Sequence, residues 1–280
     1  MKLATIRTGN GLTRAVRLSP DEQTLIDLGV SGVGELLAEP GWQQRAAEAN
    51  GASYPVEGAD FAPVVPDPSK VICVGHNYRN HIAEMGREVP EFPTLFAKFA
   101  DTLAGAYDDL VKPDETDALD WEVELVVVLG KSIHRASAAE AESAIAGFTV
   151  MNDISVRDWQ FRTVEWTQGK IWDSSTPVGP YLTTPDDLEG GVRPALRVTT
   201  IVDEQVMQDD NTGTLLFDPV ELVRYVSTII RLRPGDLIAT GTPAGVGHAR
   251  SPKTYLVGGE QVVTEIEELG ACINKIGKAS

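Results

Sequence analysis

The alternation of apolar and polar positions divides the chain into a short leading unit and a longer body dense in strand signals. Lys2 to Arg7 and Arg14 to Leu18 alternate as strands do, on either side of the turn sequence Thr8-Gly9-Asn10-Gly11. An alanine-rich, acidic stretch from Val33 to Ala49 predicts a helix, and Pro63, Pro66 and Pro68 within Gly58 to Ser69 predict an extended linker. These signals set an expected boundary near residue 67, with a small N-terminal α/β domain over 1–66 and a main domain over 67–280.

In the main domain, Val71 to Gly75 is a short apolar run, and Glu122 to Leu129 begins alternating and ends wholly apolar, as a buried strand does. Phe148 to Met151, Ala195 to Val202, Asp236 to Thr240 and Glu260 to Glu267 predict further strands. Helices are fewer. Ser137 and Glu140 form a capping box ahead of Ala141 to Ile145, with Gly147 as the expected stop. Asp218, Pro219 and Glu221 take the N-cap, N1 and N3 positions of a helix that buries Val223, Val226 and Ile230. Strands without a regular βαβ rhythm predict an α+β fold.

Composition narrows the partners. The 280 residues carry 41 acidic and 24 basic side chains, a formal net charge of −17, so nucleic acid and anionic lipid are repelled. An anionic substrate would need local positive charge against that field. Cys73 and Cys272 sit in separate apolar runs and are expected to be buried thiols, not a disulfide or a metal cluster. The N-terminus lacks an apolar signal core, and no apolar run approaches the roughly 18 residues of a membrane span. A cytoplasmic protein with no membrane partner is expected.

The first candidate chemistry is Asp120-Trp121-Glu122-Val123-Glu124-Leu125. In a strand Glu122 and Glu124 share one face while Val123 and Leu125 enter the core. Two such carboxylates need a neutralising partner if they are buried, and a hard cation with oxygen ligands would serve; solvent at a strand end is the alternative. Asp153 closes the run from Gly147 to Met151 and adds a third carboxylate, which favours Mg²⁺, Mn²⁺ or Ca²⁺ over zinc.

His81 and Glu84 are three residues apart after Gly75-His76-Asn77-Tyr78, so on a helix they share a face as a general-base pair or a surface ion pair. The stretch through Gly86, Pro90 and Pro93 to Phe96 reads as an irregular lid loop, on which Arg79, Arg87 and Phe92 would set specificity. Lys170, between Trp166 and Trp172, is placed either to hold an anion or enolate or to snorkel at the surface. Backbone N–H groups and the Thr242 hydroxyl of Gly241-Thr242-Pro243-Ala244-Gly245-Val246-Gly247 are candidate carboxylate ligands.

Taken in order, these segments resemble the fumarylacetoacetate hydrolase family. The resemblance spans Lys70 to Ile276 and is extended by Met151-Asn152-Asp153-Ile154-Ser155-Val156-Arg157-Asp158, Gly169-Lys170 and Pro177-Val178-Gly179-Pro180. It implies a β-rich mixed-sheet roll of the fumarylacetoacetase C-terminal type, commonly a homodimer. It also implies one divalent cation per subunit, Mg²⁺ or Mn²⁺, on Glu122, Glu124 and Asp153. The substrates implied are 2-oxo or 2,4-dioxo acids, with His81 and Glu84 as the lid base, Lys170 beside the enolate, and Arg157, Gln160, Gly241, Thr242 and Arg79 around the substrate. The leading expectation is hydrolysis of an acylpyruvate such as fumarylpyruvate in aromatic catabolism. The alternative is oxaloacetate decarboxylation, or isomerisation or hydration of a 2-hydroxy-dienoate, at the same centre. His76 departs from the arginine or leucine frequent at its position, which leaves its role in substrate choice open.

Overall fold

A computed structural model describes residues 1–9 and 11–278; Asn10, in the expected first turn, lies outside the described residues. The architecture is α+β and strand-rich, with an open mixed sheet and a second, five-stranded sheet. The larger sheet runs in the order Ser53–Pro55, Thr24–Asp27, Leu12–Leu18, Lys2–Thr8, Thr176–Thr183, Ile145–Asn152, Val123–Leu129, Leu237–Ala239, Val71–Gly75, Thr94–Lys98. Its one parallel contact on this path joins Leu237–Ala239 to Val71–Gly75.

Val123–Leu129 is buried along its whole length because both faces meet a core. Val123, Leu125, Val127 and Leu129 pack toward the helices Ala138–Ala144 and Pro219–Ile229. Val126 and Val128 pack in the opposite direction, against Met151, Val178 and the N-terminal helices Val33–Leu37 and Trp42–Glu48. A strand covered on both sides loses its polar face, which is why its apolar run is continuous. Both capping boxes form as expected, Ser137 with Glu140 and Asp218 with Glu221.

Several local expectations change. The predicted helix from Val33 to Ala49 is two helices broken at Pro40-Gly41, where Gly41 adopts a left-handed φ of 75°. Gly147 does not stop a helix; Ala138–Ala144 ends earlier and Gly147 lies inside the strand Ile145–Asn152. Its glycine serves close approach there, because a Cβ would fall 2.2 Å from the Thr183 carbonyl oxygen of the neighbouring strand. The stretch from Gly58 to Ser69 is packed, not a free linker: Asp60–Phe61 pairs with Lys2–Thr8, and Val64 and Val65 are buried. The loop read through to Phe96 ends in a strand, Thr94–Lys98.

We propose residues 1–66 as a unit docked through sheet continuation, since Lys2–Thr8 pairs antiparallel with Thr176–Thr183 and its neighbours share one apolar cluster with Met151, Val178 and Leu182. A protein beginning at residue 67 would expose that cluster and the edge of Thr176–Thr183. It is expected to aggregate or to lose its cooperative thermal transition, followed by circular dichroism and light scattering; a soluble, cooperatively melting truncation would refute the docking role.

Candidate active site

Strand pairing brings the three predicted carboxylates together. Val123 lies opposite Asn152 in an antiparallel register, so the start of one strand meets the end of the other. The junction is tied twice: the Asp153 N–H donates to the Glu122 carbonyl at 2.8 Å, and the Glu122 N–H donates to Asn152 Oδ1 at 3.0 Å. Glu122, Glu124 and Asp153 are all buried, with one oxygen from each lying within 4.8 Å of the others.

Three cations surround them. Lys170, only 1% exposed, places Nζ 2.7 Å from both Glu122 Oε2 and Asp153 Oδ2. Lys98 donates to Asp153 Oδ1 at 2.8 Å. Arg157 Nη2 stands 2.7 Å from Glu122 Oε1, as an ion pair rather than an aligned hydrogen bond, while its Nε donates to Asp120 Oδ2 at 2.8 Å and its Nη1 to Gln160 Oε1 at 2.9 Å. Asp120 is itself fully buried and also accepts from the backbone N–H groups of Trp121, Gly247 and His248, so it pins Arg157 to the glycine-rich loop.

The electrostatics follow from these contacts. Burial alone would raise the Glu122 pKa, but Lys170 and Arg157 more than offset it and hold the carboxyl well below the usual range. Burial works against the charge on Lys170, and Asp153 and Glu122 overcome it, so the ammonium persists. Glu124 is the exception. Among the described residues it has no cationic partner; Oε2 accepts from the Gly241 N–H at 2.8 Å, and burial together with Asp153 and Glu122 pushes its pKa well above the ordinary value. This donor set fits a hard divalent cation: three clustered carboxylates, no sulfur or imidazole among them, and one carboxylate still lacking positive charge.

His81 lies on the short helix Arg79–Glu84, 7% exposed, with Nδ1 3.2 Å from Glu84 Oε2. Glu84 also accepts from the Gly245 N–H, at 3.1 and 3.2 Å to its two oxygens. The helix is therefore docked on the glycine-rich loop. Asn77, fully buried, fixes the approach to it by donating to the carbonyls of Thr240 and Phe217 and accepting from the Phe217 N–H.

His81, Lys170, Glu122, Glu124, Arg157 and Thr242 line one cavity, and Gln160 joins them. The cavity is small and partly open to solvent. Two of the expected substrate ligands are placed elsewhere. Arg79 is exposed on the lid helix and lies outside the cavity lining, because its helix turns His81 and Ile82 inward instead. The Gly241 N–H is committed to Glu124, which leaves Thr242 as the loop's contribution to the lining. Lys98 and the clamping role of Asp120 escaped sequence reasoning. Lys98 sits in a strand hidden behind prolines, and the Asp120 partners come from residues far along the chain. Trp166 also lines the cavity, admitted by Gly75, where a Cβ would fall 2.4 Å from the Trp166 ring.

Residues 70–277 match the model of the fumarylacetoacetate hydrolase C-terminal domain. The chain belongs to this family. The mitochondrial oxaloacetate tautomerase FAHD2A of Bos taurus is 39% identical over 97% of this chain and 86% of its own length. The corresponding Rattus norvegicus protein is 40% identical over 83% of this chain and 74% of its own. Among solved structures, a 5-carboxymethyl-2-hydroxymuconate delta-isomerase from Mycobacterium smegmatis superposes with a TM-score of 0.81 at 30% identity, covering all of both chains. A fumarylacetoacetate hydrolase from Exiguobacterium antarcticum superposes with a TM-score of 0.86 at 28% identity, again covering all of both chains. The protein is thus a family enzyme with a mixed-sheet α+β fold and a buried acidic triad able to bind a divalent metal. The cytoplasmic expectation is overturned by these relatives, since the bovine, rat and human proteins are named as mitochondrial. No helix among the described residues is long and apolar enough to cross a membrane.

Two substitutions test the site. Magnesium at about 100 times its Kd is expected to raise the thermal midpoint by roughly 5–10 °C, and Glu124→Gln to abolish that shift, read by calorimetry. Asp120→Ala strands the buried Arg157 charge and is expected to cost roughly 3–5 kcal/mol in urea unfolding; a loss below 1 kcal/mol would remove Asp120 from its clamping role.

Proposed function

We propose that the chain is a divalent-metal-dependent tautomerase of small 2-oxo dicarboxylic acids, interconverting the enol and keto forms of oxaloacetate or a close analogue. The observation that carries this reading is the meeting, in one small cavity, of the His81 imidazole, the buried Lys170 ammonium and Glu122 and Glu124, two members of the acidic triad. The relatives named as oxaloacetate tautomerases and the solved isomerase support it. The reading takes one magnesium or manganese ion per subunit on Glu122, Glu124 and Asp153, and a homodimer as the assembly.

A divalent cation on the triad would supply Lewis-acid polarisation of the 2-oxo acid's carbonyl. The remaining work falls to the chain's own side chains. Ketonisation removes a proton from the C2 hydroxyl and adds one at C3, with no net change in composition. His81 is the group to carry that proton, since Nδ1 is engaged by Glu84 and Nε2 makes no protein hydrogen bond among the described residues. The Lys170 ammonium, held charged by two carboxylates, stabilises negative charge developing on the C2 oxygen. Arg157, with Gln160 behind it, and Thr242 would hold the acid's carboxylate.

Hydrolysis of an acylpyruvate would use the same dyad to activate water. It takes second place because the relatives aligned over most of the chain are named tautomerases. Decarboxylation of oxaloacetate would draw on the same enolate stabilisation. The test follows the loss of enol oxaloacetate absorbance with magnesium-loaded protein. His81→Ala is expected to slow ketonisation about 10²–10⁴-fold while leaving magnesium binding by calorimetry unchanged. Faster cleavage of fumarylpyruvate than ketonisation of oxaloacetate by the unmodified protein would overturn the reading in favour of the hydrolase.

A further inference from the structure

The proposed reaction leaves two residues of the cavity lining, His76 and Arg87, without a role. Both ring nitrogens of His76 are buried without a hydrogen-bond partner. Leaving two such atoms unsatisfied costs stability that a ligand would recover. Its backbone adopts a left-handed φ of 57°, an uncommon conformation for a residue with a Cβ, directly after the strand Val71–Gly75. The ring is held in place by an edge-on contact with Trp166 at 5.2 Å and a stacked contact with His81 at 6.1 Å between centroids.

Arg87 lines the same cavity. The lid helix ends in a Schellman turn: Gly86, at a φ of 62°, donates to the Ala83 carbonyl, and the Arg87 N–H donates to the Ile82 carbonyl. Arg87 follows this turn, exposed to solvent while also lining the cavity. Among the described residues its guanidinium makes no ion pair, although the protein carries an excess of acidic side chains. Burial, followed by the nearby His81 and Arg87 charges, lowers the His76 pKa to about 4, so the imidazole is neutral at physiological pH and offers one donor and one acceptor.

We propose that His76 and Arg87 form a subsite for a second, distal carboxylate of the substrate, so that the enzyme selects dicarboxylic 2-oxo acids over monocarboxylic ones of equal length. This rests on the tautomerase reading for the orientation of the substrate, with its 2-oxo acid end at the triad and its far end on the lid. Arg87 supplies the charge and a two-pronged donor, which a carboxylate matches. His76 supplies a short, rigid hydrogen bond. The competing occupant of this subsite is an apolar acyl tail packed against Met85 and Phe161, which also line the cavity.

The test compares oxaloacetate with 2-oxobutyrate, which has a methyl group where oxaloacetate has its distal carboxylate, and with oxalate, which reaches only the triad end. Binding to the magnesium-loaded protein is read by stopped-flow quenching of tryptophan fluorescence, since Trp166 lines the cavity. The unmodified protein is expected to bind oxaloacetate at least about 10-fold more tightly than 2-oxobutyrate. Arg87→Gln should erase most of that preference by weakening oxaloacetate alone, and His76→Leu should reduce it by a smaller factor. Unchanged oxalate binding in both variants reports an intact fold and metal centre. A preference for 2-oxobutyrate in the unmodified protein, or a preference for oxaloacetate that survives Arg87→Gln, would overturn the subsite. Failure of the tautomerase reading is separable, because ketonisation could be absent while the binding preference and its loss in Arg87→Gln stand.

Discussion

The antiparallel pairing of Val123–Leu129 with Ile145–Asn152 places the beginning of one central strand beside the end of another, and the remainder of the active site answers the charge this creates. Glu122, Glu124 and Asp153 would repel one another strongly in so dry a setting, and each buried ion costs several kcal/mol of desolvation unless it is compensated. Compensation arrives from three separate parts of the chain: Lys98 from the end of the edge strand Thr94–Lys98, Arg157 from the start of the short helix Arg157–Gln160, and Lys170 from the residue after the 3₁₀ segment Trp166–Gly169. Each cation is in turn held by its own fixture. Asp120 grips Arg157, two carboxylates grip Lys170, and Phe96 closes over the Lys170 ammonium at 5.1 Å. Counting Asp120, four carboxyl groups face three cations, and the one left over, Glu124, is the carboxylate a bound divalent metal would neutralise.

How much of this was readable in the sequence depends on whether the signal was local. Glu122 and Glu124 announce themselves through two-residue alternation, and Asp153 through its place at the end of an apolar run. His81 and Glu84 announce themselves through helical spacing. Lys98 was invisible because Pro90 and Pro93 make the preceding stretch look irregular, although its strand pairs with Val71–Gly75 from Thr94 onward. Thr176–Thr183 was hidden in the same way by Pro177 and Pro180, yet it joins the N-terminal strand to the centre of the sheet. Such pairings link residues more than 170 positions apart, and no window of sequence encodes them. The break in the Val33 to Ala49 helix was within reach, since Pro40-Gly41 is a local stop signal that the alanine content outweighed.

The glycine-rich loop shows why a motif can be correctly noticed and its role misjudged. Read alone, Gly241 to Gly247 offers backbone donors to a substrate anion. In the fold those donors are taken by the protein's own carboxylates: Gly241 by Glu124, Gly245 by Glu84, Gly247 and His248 by Asp120. The loop is therefore a spine that ties an acidic-triad residue, the lid and the Arg157 clamp into one hydrogen-bonded body. Glycine is required at 245 for a steric reason as well, because a Cβ there would lie 2.1 Å from the Met207 carbonyl oxygen.

That spine also holds Glu84, the partner of His81. A carboxylate only accepts hydrogen bonds, so Glu84 facing Nδ1 requires the proton of a neutral His81 to reside on Nδ1, leaving Nε2 with its lone pair available. Glu84 is simultaneously held by the Gly245 N–H, so the His81–Glu84 pair is fixed to the glycine-rich loop. His81 shares its cavity with the Lys170 ammonium, whose charge two carboxylates secure.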